Sequence, residues 1–455
     1  MKSFFLIISF FCSILILNAQ QSWQGKSVDF SHGDLKVSEN HRYLVHADGT
    51  PFLYLGDTAW ELLHRLSKDD TKLYLENRRS KGFTVIQTVI LAEPNGLTAP
   101  NAEGETPLLD NDPTKPNEAY FKHVDWVLQN AAEKGLYVGL LPTWGDKVDK
   151  QWGSGPEIFT KKNAKKYGRW LGKRYASFPN VIWIIGGDRK GGEDNFAIWN
   201  AMAEGIKSKD KHHLLTYHPS GESSSSEWFH HCNWLDFNTY QSGHAKEDYA
   251  IVEKMLGHDY NLKPVKPVMD SEPRYENIPK NFKKENGVFS AADSREIMYQ
   301  SLLGGACGHT YGCNEIWQMY SPGFSPVIDA FVPWKEALDF KGAQAVLFAR
   351  ELFESIDFTT IQPAPSLLLS GNSDYKDMAV AAIGKDFAMV YLPNGNRVSI
   401  NLEKAFQTES VKMCWFNPRN GEYSNPWNEK VIGNFEVQPP VPGEGTDWLL
   451  LIKKK

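Results

Sequence analysis

The stretch Val181-Ile182-Trp183-Ile184-Ile185-Gly186-Gly187-Asp188-Arg189 decides the fold. Its apolar run, rich in β-branched residues, predicts a strand buried on both faces, which is typical of a parallel sheet. Two glycines end the strand, and Asp188 follows at what would be its C-terminal mouth. In α/β barrels that mouth holds the catalytic residues. The alternative is that Asp188 caps the next helix or pairs with Arg189 on the surface.

The same order, an apolar run followed by a polar strand end, recurs along the chain. Eight strand–helix alternations begin near residues 52, 84, 136, 181, 214, 234, 267 and 308. Apolar residues at helical spacing predict helices over 67–81, 120–134, 162–178, 194–208, 249–256, 293–303 and 334–353. Eight such units predict an α/β fold, a TIM (β/α)8 barrel over residues 20–356. A long polar insertion, 93–116, interrupts it, and such a loop is usually functional or mobile.

The pattern changes near Asp357. Helical spacing gives way to short alternating runs between turn residues, such as 378–383 and 387–392 on either side of Gly384-Lys385-Asp386. This pattern predicts a small antiparallel β-sandwich domain over residues 357–455.

Composition restricts the class of protein. Aromatic residues make up 13% of the chain, with 15 Trp and 18 Tyr, which suits both a large core and a sugar-binding cleft. A net charge of −6 argues against nucleic acid as a partner, because phosphate binding needs a basic face. No glycine-rich phosphate fingerprint follows the first strand, which argues against a nucleotide enzyme.

Residues 1–19 are typical of an export signal, with a basic Lys2, an apolar run from Phe4 to Leu17 and a cleavage point after Ala19. Cys12 has no lipobox around it, so a lipid anchor is not expected. We therefore expect an exported, periplasmic or extracellular protein without membrane insertion, acting as a monomer on an oligosaccharide or polysaccharide.

Four cysteines remain after the signal: Cys232, Cys307, Cys313 and Cys414. A Cys307–Cys313 bridge can form in an oxidising compartment, but free buried thiols are equally compatible with a domain of this size. No Cys/His pair has metal-site spacing, and neither a metal nor another cofactor is expected.

In a barrel, the residues at the strand ends share one cleft. These are Asp57, Gln87, Trp144, Asp188, His218, Tyr240, Glu272 and Tyr311. Asp188 and Glu272 close the fourth and seventh strands, which face each other across the mouth. A glycosidic bond is hydrolysed by such a carboxyl pair, and a separation of about 5–5.5 Å implies retention whereas about 6.5–9.5 Å implies inversion. Gly186 and Gly187 are then expected to leave room for a sugar against the backbone.

Each of these residues also has a structural interpretation. Glu272 can form an ion pair with Arg274, and Asp57 can cap the turn before Trp60 rather than bind substrate hydroxyls. His218 and Tyr240 can tune a catalytic carboxylate or simply line the barrel. Trp60, Gln87 and Tyr311 are also expected to bind substrate. Trp144 and Trp317 are expected to stack a sugar ring, although core packing is the commoner fate of a tryptophan.

Four motifs in the sequence resemble those of a known protein family. Leu55-Gly56-Asp57-Thr58-Ala59-Trp60, Ile184-Ile185-Gly186-Gly187-Asp188, Asp270-Ser271-Glu272-Pro273 and Trp415-Phe416-Asn417-Pro418-Arg419-Asn420-Gly421 resemble the apiosidase-like family, glycoside hydrolase family 140. The resemblance runs from about Leu44 to the end of the chain. It implies a TIM barrel followed by a domain named as collagen-binding, which is more simply a structural support that contributes a cleft wall.

The resemblance further implies a retaining exo-enzyme that releases apiose from side chains of the pectin rhamnogalacturonan II. Asp188 would be the acid/base and Glu272 the nucleophile, with Asp57, His218 and Tyr240 orienting the substrate or the carboxylates. An Asp at the fourth strand departs from the Asn-Glu pair usual in the wider barrel clan. The alternatives are the same chemistry on another plant or algal glycan, or a carbohydrate- or matrix-binding protein on an inactive barrel.

Overall fold

The computed structural model describes residues 21–244, 251–370 and 377–455. The predicted export signal with Cys12, and the start of the helix predicted from Tyr249, lie outside the described residues. Within the described ranges, no helix combines the length and the apolar character that crossing a bilayer requires.

Eight parallel strands form the barrel in this part of the chain. They are β1 (Tyr54–Thr58), β2 (Val85–Val89), β3 (Tyr137–Leu141), β4 (Val181–Gly186), β5 (Leu215–His218), β6 (Asn238–Gln241), β7 (Val268–Asp270) and β8 (Gly308–Tyr311). Their order in the sheet is β5-β4-β3-β2-β1-β8-β7-β6. The remaining seam is bridged by the Asp236 backbone N–H, which donates to Leu215 O at 2.9 Å, and by Thr216 Oγ1, which donates to Phe237 O at 2.7 Å. The predicted TIM barrel is confirmed.

A helix follows each strand. They are α1 (Lys68–Ser80), α2 (Glu118–Glu133), α3 (Lys161–Tyr175), α4 (Glu193–Lys207), α5 (Ser226–Phe229), α6 (Ile251–Tyr260), α7 (Ala291–Leu303) and α8 (Lys341–Glu354). Like α5, three further helices have only one turn: Leu62–Arg65, Asn314–Trp317 and Trp334–Ala337. The single helix predicted over 334–353 is therefore wrong: the chain breaks after the one-turn helix and restarts with Phe340 as the N-cap of α8.

Alternation along the buried strands decides which side chains reach the barrel interior. On β1, a Cβ at Gly56 would meet Thr310 on the neighbouring strand β8, whereas Asp57 contacts Arg78 of α1. Neighbouring strand residues therefore point to opposite sides, as the period of two requires. Because every residue of β1 is buried, polarity alone does not reveal which neighbour faces inward.

Three short antiparallel strands, Leu35–Val37, Leu44–His46 and Pro51–Phe52, precede the barrel. The insertion 93–116 holds a 3-10 turn at Leu109–Asn111 and a bridge between Leu108 and Pro116.

The C-terminal domain is antiparallel, as predicted. Its strands are β9 (Gln362–Pro363), β10 (Val380–Ile383), β11 (Phe387–Leu392), β12 (Val398–Asn401), β13 (Ser410–Phe416), β14 (Trp427–Lys430), β15 (Asn434–Val437) and β16 (Trp448–Lys454). They form a six-stranded sheet, β9-β10-β11-β16-β13-β14, and a two-stranded sheet, β12-β15. The two sheets share a core that includes Val390, Ile400, Val437 and Leu450.

This domain packs against the outer face of α7. The Arg295 guanidinium on α7 donates to Asp447 at 2.8 Å, and both side chains are buried. Tyr299 of α7 stacks on Tyr391 of β11, with ring centroids 4.9 Å apart and an angle of 8° between the ring planes. The interface therefore combines an ion pair with aromatic stacking.

The four cysteines of the described chain are free thiols, and Cys307 and Cys313 are buried. Of the two interpretations of that pair, the structure therefore supports buried thiols rather than a bridge.

Candidate active site

A cavity of about 800 Å³ opens at the C-terminal end of the barrel strands. Asp188 at the end of β4 and Glu272 after β7 both line it, as do Trp60, Trp144 and Trp317. All of its lining residues lie between positions 60 and 328. The expectation that the C-terminal domain contributes a cleft wall is therefore wrong for this cavity, because that domain sits behind α7.

The end of β4 turns sharply to deliver Asp188. Gly186, Gly187 and Asp188 have φ angles of 97°, 126° and 56°, which lie in the left-handed region that favours glycine. A Cβ at Gly186 would lie 2.4 Å from His218 O, and one at Gly187 would lie 3.0 Å from Trp144 Cα. The expectation that these glycines leave room for a sugar is wrong, since protein atoms occupy that space.

Asp188 does not cap the following helix, because α4 begins at Glu193 with Gly192 as its N-cap. Its Oδ2 instead accepts a hydrogen bond from Trp152 Nε1 at 2.7 Å. Burial, followed by the charge of Glu272, raises the pKa of the Asp188 carboxyl to about 7, against the opposing effects of His218, Arg189 and Trp152. Asp188 therefore holds its proton close to neutral pH.

Glu272 has the opposite environment. His218 Nε2 lies 3.0 Å from Glu272 Oε2, and His244 Nε2 lies 4.0 Å from Oε1. Burial by itself would raise the pKa of Glu272, but the hydrogen bond and charge of His218, helped by His244 and Tyr275, outweigh it and lower the pKa. Glu272 is therefore ionised. The structure does not support the alternative of an ion pair between Glu272 and Arg274, since Arg274 Nη1 lies 3.9 Å from Glu296 Oε2.

Hydrogen bonds among neighbouring residues hold the segment around Glu272 in place. His218 Nδ1 lies 3.1 Å from Ser271 Oγ, so the imidazole is held at both ring nitrogens. Asp270 Oδ1 accepts from the Glu272 backbone N–H at 3.3 Å, and its Oδ2 accepts from Ser242 Oγ at 2.5 Å. Burial raises the pKa of Asp270 to about 7. These contacts determine the direction in which the Glu272 carboxylate points.

Aromatic rings form the deep walls of the cavity. Trp60 lies with its ring centroid 5.1 Å from that of Trp144 and 5.3 Å from the His218 ring. Together with Trp317, these tryptophans are at most 5% exposed. Flat apolar faces beside carboxyl groups are the kind of surface on which sugar rings stack in carbohydrate-binding clefts.

Two predicted residues on β1 and β8 point away from the cavity. Asp57 is fully buried and its Oδ2 accepts from Arg78 Nε at 2.6 Å and from Tyr74 OH at 2.5 Å. Tyr311 donates from its hydroxyl to Glu276 Oε2 at 2.7 Å. The expectation that either binds substrate is wrong, because alternation along the strand turns both toward the surrounding helices and loops.

Two further predicted residues also fall outside the cavity. Gln87 lies in the barrel interior, where its Nε2 donates to Ser271 O at 3.1 Å and its Oε1 accepts from Tyr54 OH at 3.2 Å. Tyr240 packs in the cluster with α6 and α7, and its hydroxyl lies 3.3 Å from Ser301 Oγ. Neither orients substrate or carboxylate directly; the next residue, Gln241, lines the cavity instead.

Sequence reasoning missed several lining residues: Glu93, Trp152, Gln241, His244 and Tyr275. Burial and the nearby charges of Asp188 and Asp146 raise the pKa of Glu93 to about 8, so a third, neutral carboxyl faces the cavity. Only this first part of the 93–116 insertion, Glu93 and Pro94, reaches the lining. Gln241 lies on a strand whose residues are all buried, so the sequence does not show which way it faces, and no periodic signal marks the loop residues.

The chain matches two known protein families. Residues 38–360 match the family described as "Apiosidase-like, catalytic domain", and residues 362–453 match the "Putative collagen-binding domain of a collagenase". No curated protein matches the chain significantly.

Solved structures extend the likeness to most of the chain. One titled "Glycoside hydrolase" is 32% identical, with 94% of this chain and 99% of that chain covered and a TM-score of 0.86. A glycoside hydrolase family 5 structure from Bacteroides vulgatus ATCC 8482 is 30% identical, with 94% and 95% covered and a TM-score of 0.87. A family 5 mannosidase from Rhizomucor miehei, 13% identical over 71% of this chain and 98% of its own with a TM-score of 0.51, shares the fold alone. The chain therefore belongs to the apiosidase-like glycoside hydrolases, with a C-terminal domain of the collagen-binding type.

Proposed function

We propose that this protein is a secreted, retaining exo-glycosidase that releases apiose from side chains of rhamnogalacturonan II. The observation that carries the proposal is that the pKa values of the two carboxyl groups are shifted in opposite directions. Asp188 is held protonated near neutral pH, whereas Glu272 is held ionised. Environments that push the pKa values of two facing carboxyl groups apart assign one as the acid and the other as the nucleophile.

The proposed reaction has two displacements. Glu272 attacks the anomeric carbon while Asp188 gives its proton to the leaving oxygen, and the glycosidic C–O bond breaks. Asp188, now ionised, takes a proton from water, whose oxygen attacks the anomeric carbon and displaces the Glu272 carboxylate. His218 holds Oε2 at 3.0 Å, whereas His244 Nε2 lies farther from Oε1, at 4.0 Å, so Oε1 is the oxygen assigned to attack.

Three observations support the finer parts of the proposal. The deep tryptophan walls favour an enzyme that takes a terminal sugar into a pocket. Apiose as that sugar rests on the family description and on the motif resemblance to apiosidases of pectin. Export rests on the composition of residues 1–19.

The test uses wild type, Asp188→Asn and Glu272→Gln on rhamnogalacturonan II oligosaccharides, aryl apiosides and a panel of other aryl glycosides. Each variant is expected to lose about 10²–10⁴-fold in kcat/KM on glycans. Tyr240→Phe is the matched control, since it alters a strand-end residue that points outward, and it should keep wild-type activity.

Each outcome bears on a separate part of the proposal. Release of another sugar but not apiose would reject the substrate. Variants as active as wild type would reject the residue assignment, and an inverted first-formed anomer in proton NMR would reject retention. If wild type bound glycan without cleaving any, a binding protein on an inactive barrel would be the better description.

A further inference from the structure

The loop 149–156 after β3 brings an exposed tryptophan to the acid. Trp152 is 47% exposed, yet its Nε1 donates to Asp188 Oδ2 at 2.7 Å. The mouth of the cavity thus contains an aromatic side chain that is hydrogen-bonded to the carboxyl group that supplies the proton.

This loop is held by a buried arginine. Arg189 Nε donates to Asp149 O at 2.7 Å, its Nη2 donates to Trp152 O at 2.6 Å, and its Nη1 donates to Asp188 O at 2.8 Å. One guanidinium therefore ties the loop to the residue it covers. A site residue held by its own supporting contacts is positioned before substrate arrives.

The two faces of the Trp152 ring differ. The Arg189 guanidinium lies over one face, 4.3 Å from the ring centroid, so the exposed surface belongs to the edge and the opposite face. The deep walls, Trp60, Trp144 and Trp317, are only 2–5% exposed. A glycan entering end first would place its terminal sugar against the deep walls and its next unit at the exposed mouth.

We propose that Trp152 is the leaving-group subsite: its open face binds the sugar unit attached to the departing oxygen, and its indole N–H orients Asp188 toward that oxygen. The proposal rests on the assignment of Asp188 as the acid.

The geometry gives the reason for this coupling. The Trp152 N–H donates to Oδ2 of Asp188. Oδ1 is therefore the oxygen that gives its proton to the glycosidic oxygen. The indole and the glycosidic oxygen then flank one carboxyl group, and the first sugar beyond that oxygen lies within reach of the ring. Stacking a sugar there and aligning the proton donor become one event, which favours substrates with a sugar as leaving group.

The first test compares two leaving groups on the same glycone, using whichever glycone wild type hydrolyses. One substrate is the 2,4-dinitrophenyl glycoside, whose leaving group departs without a proton, and the other is an oligosaccharide. Trp152→Ala is expected to lower kcat/KM on the oligosaccharide by about 10–100-fold, the range for a hydrogen bond to a charged group, and to change the aryl glycoside by less than about 3-fold. Phe331→Ala removes an aromatic ring that is 61% exposed and lies outside the cavity lining, and should change neither substrate.

The second test separates stacking from positioning. Trp152→Phe keeps an aromatic face but loses the N–H, so KM for the oligosaccharide should stay near wild type while kcat falls. Since the Trp152 hydrogen bond lowers the pKa of Asp188, its loss should move the basic limb of kcat/KM to higher pH. A structural role for the ring would leave that limb in place.

The third test does not depend on turnover. In wild type labelled with ¹⁵N-tryptophan, the indole peak that disappears in Trp152→Phe should titrate with Asp188, stop titrating in Asp188→Asn, and shift on addition of rhamnogalacturonan II oligosaccharides. An indole peak that neither titrates nor shifts, or an equal loss on both substrates in Trp152→Ala with an unmoved basic limb, would overturn the proposal. Absence of apiose release alone would reject only the proposed substrate.

Discussion

Asp57→Asn is expected to weaken the fold and leave catalysis unchanged. The Asp57–Arg78 pair has an Nε–Oδ2 distance of 2.6 Å and both side chains are 0% exposed. Burial raises the pKa of Asp57, while Arg78 and Tyr74 oppose that rise. We treat the pair as ionised, because a neutral Asp57 would leave the buried guanidinium without a counter-ion. The amide of the variant keeps the shape of the side chain but removes that counter-ion.

The size of the effect follows from the burial. Removing one partner of a buried ion pair costs about 3–5 kcal/mol. A barrel of about 320 residues unfolds with an entropy of about 0.7 kcal/mol/K, so Tm should fall by about 4–7 °C. Calorimetry measures this shift, and kcat/KM at 25 °C should stay within about 2-fold of wild type, a factor worth only about 0.4 kcal/mol.

Two controls make the experiment specific. Glu204→Gln removes the same charge from an exposed pair with Lys165, at 3.1 Å with side chains 47% and 58% exposed, and should cost at most about 0.5 kcal/mol. The double variant Asp57→Leu/Arg78→Met removes both charges and should recover much of the lost stability. A fall of 10-fold or more in kcat/KM with an unchanged Tm would refute the reasoning and return Asp57 to the substrate site.

Four further outcomes are expected. His218→Ala removes the main group that opposes burial at Glu272, so the pKa of Glu272 should rise, and the acidic limb of the kcat/KM profile should move to higher pH; an unmoved limb would contradict the role of His218. Gly186→Ala should lose more stability in calorimetry than Gly104→Ala, because both have positive φ but only Gly186 has a backbone atom, His218 O, 2.4 Å from the added Cβ; equal losses would argue against the close packing. Glu93→Gln should keep more activity below pH 8 than Glu93→Ala, since the amide replaces a carboxyl that is neutral there; equal kinetic losses would count against that ionisation state. Iodoacetamide added after unfolding without reductant should label the four cysteines of the described chain, as free thiols require, and mass spectrometry showing an unlabelled pair would contradict this.

The sequence predicted those features that depend on periodicity. Eight apolar runs separated by helical segments defined the barrel, and the ends of β4 and β7 supplied Asp188 and Glu272. The structure places Trp60, Trp144 and Trp317 in the cavity lining and His218 beside Glu272, and their roles toward substrate stay predictions.

The errors arose where both faces of a strand are buried. Asp57, Gln87, Tyr240 and Tyr311 are polar residues on buried strands, and their partners come from other parts of the chain. A one-residue difference in facing, as between Tyr240 and Gln241, leaves no trace in a strand whose residues are all buried. Trp152 reaches the site through a loop whose path depends on Arg189, a contact between residues 37 positions apart.

The interface on α7 determines which residues a truncated barrel would expose. A barrel expressed without the C-terminal domain would lose Asp447 from Arg295 and Tyr391 from Tyr299, and would present an unneutralised cation beside bare aromatic surface. Exposed apolar patches of this kind promote association. The C-terminal domain therefore covers the outer face of α7 in the folded protein. A domain exchange between relatives would have to keep the Arg295–Asp447 ion pair.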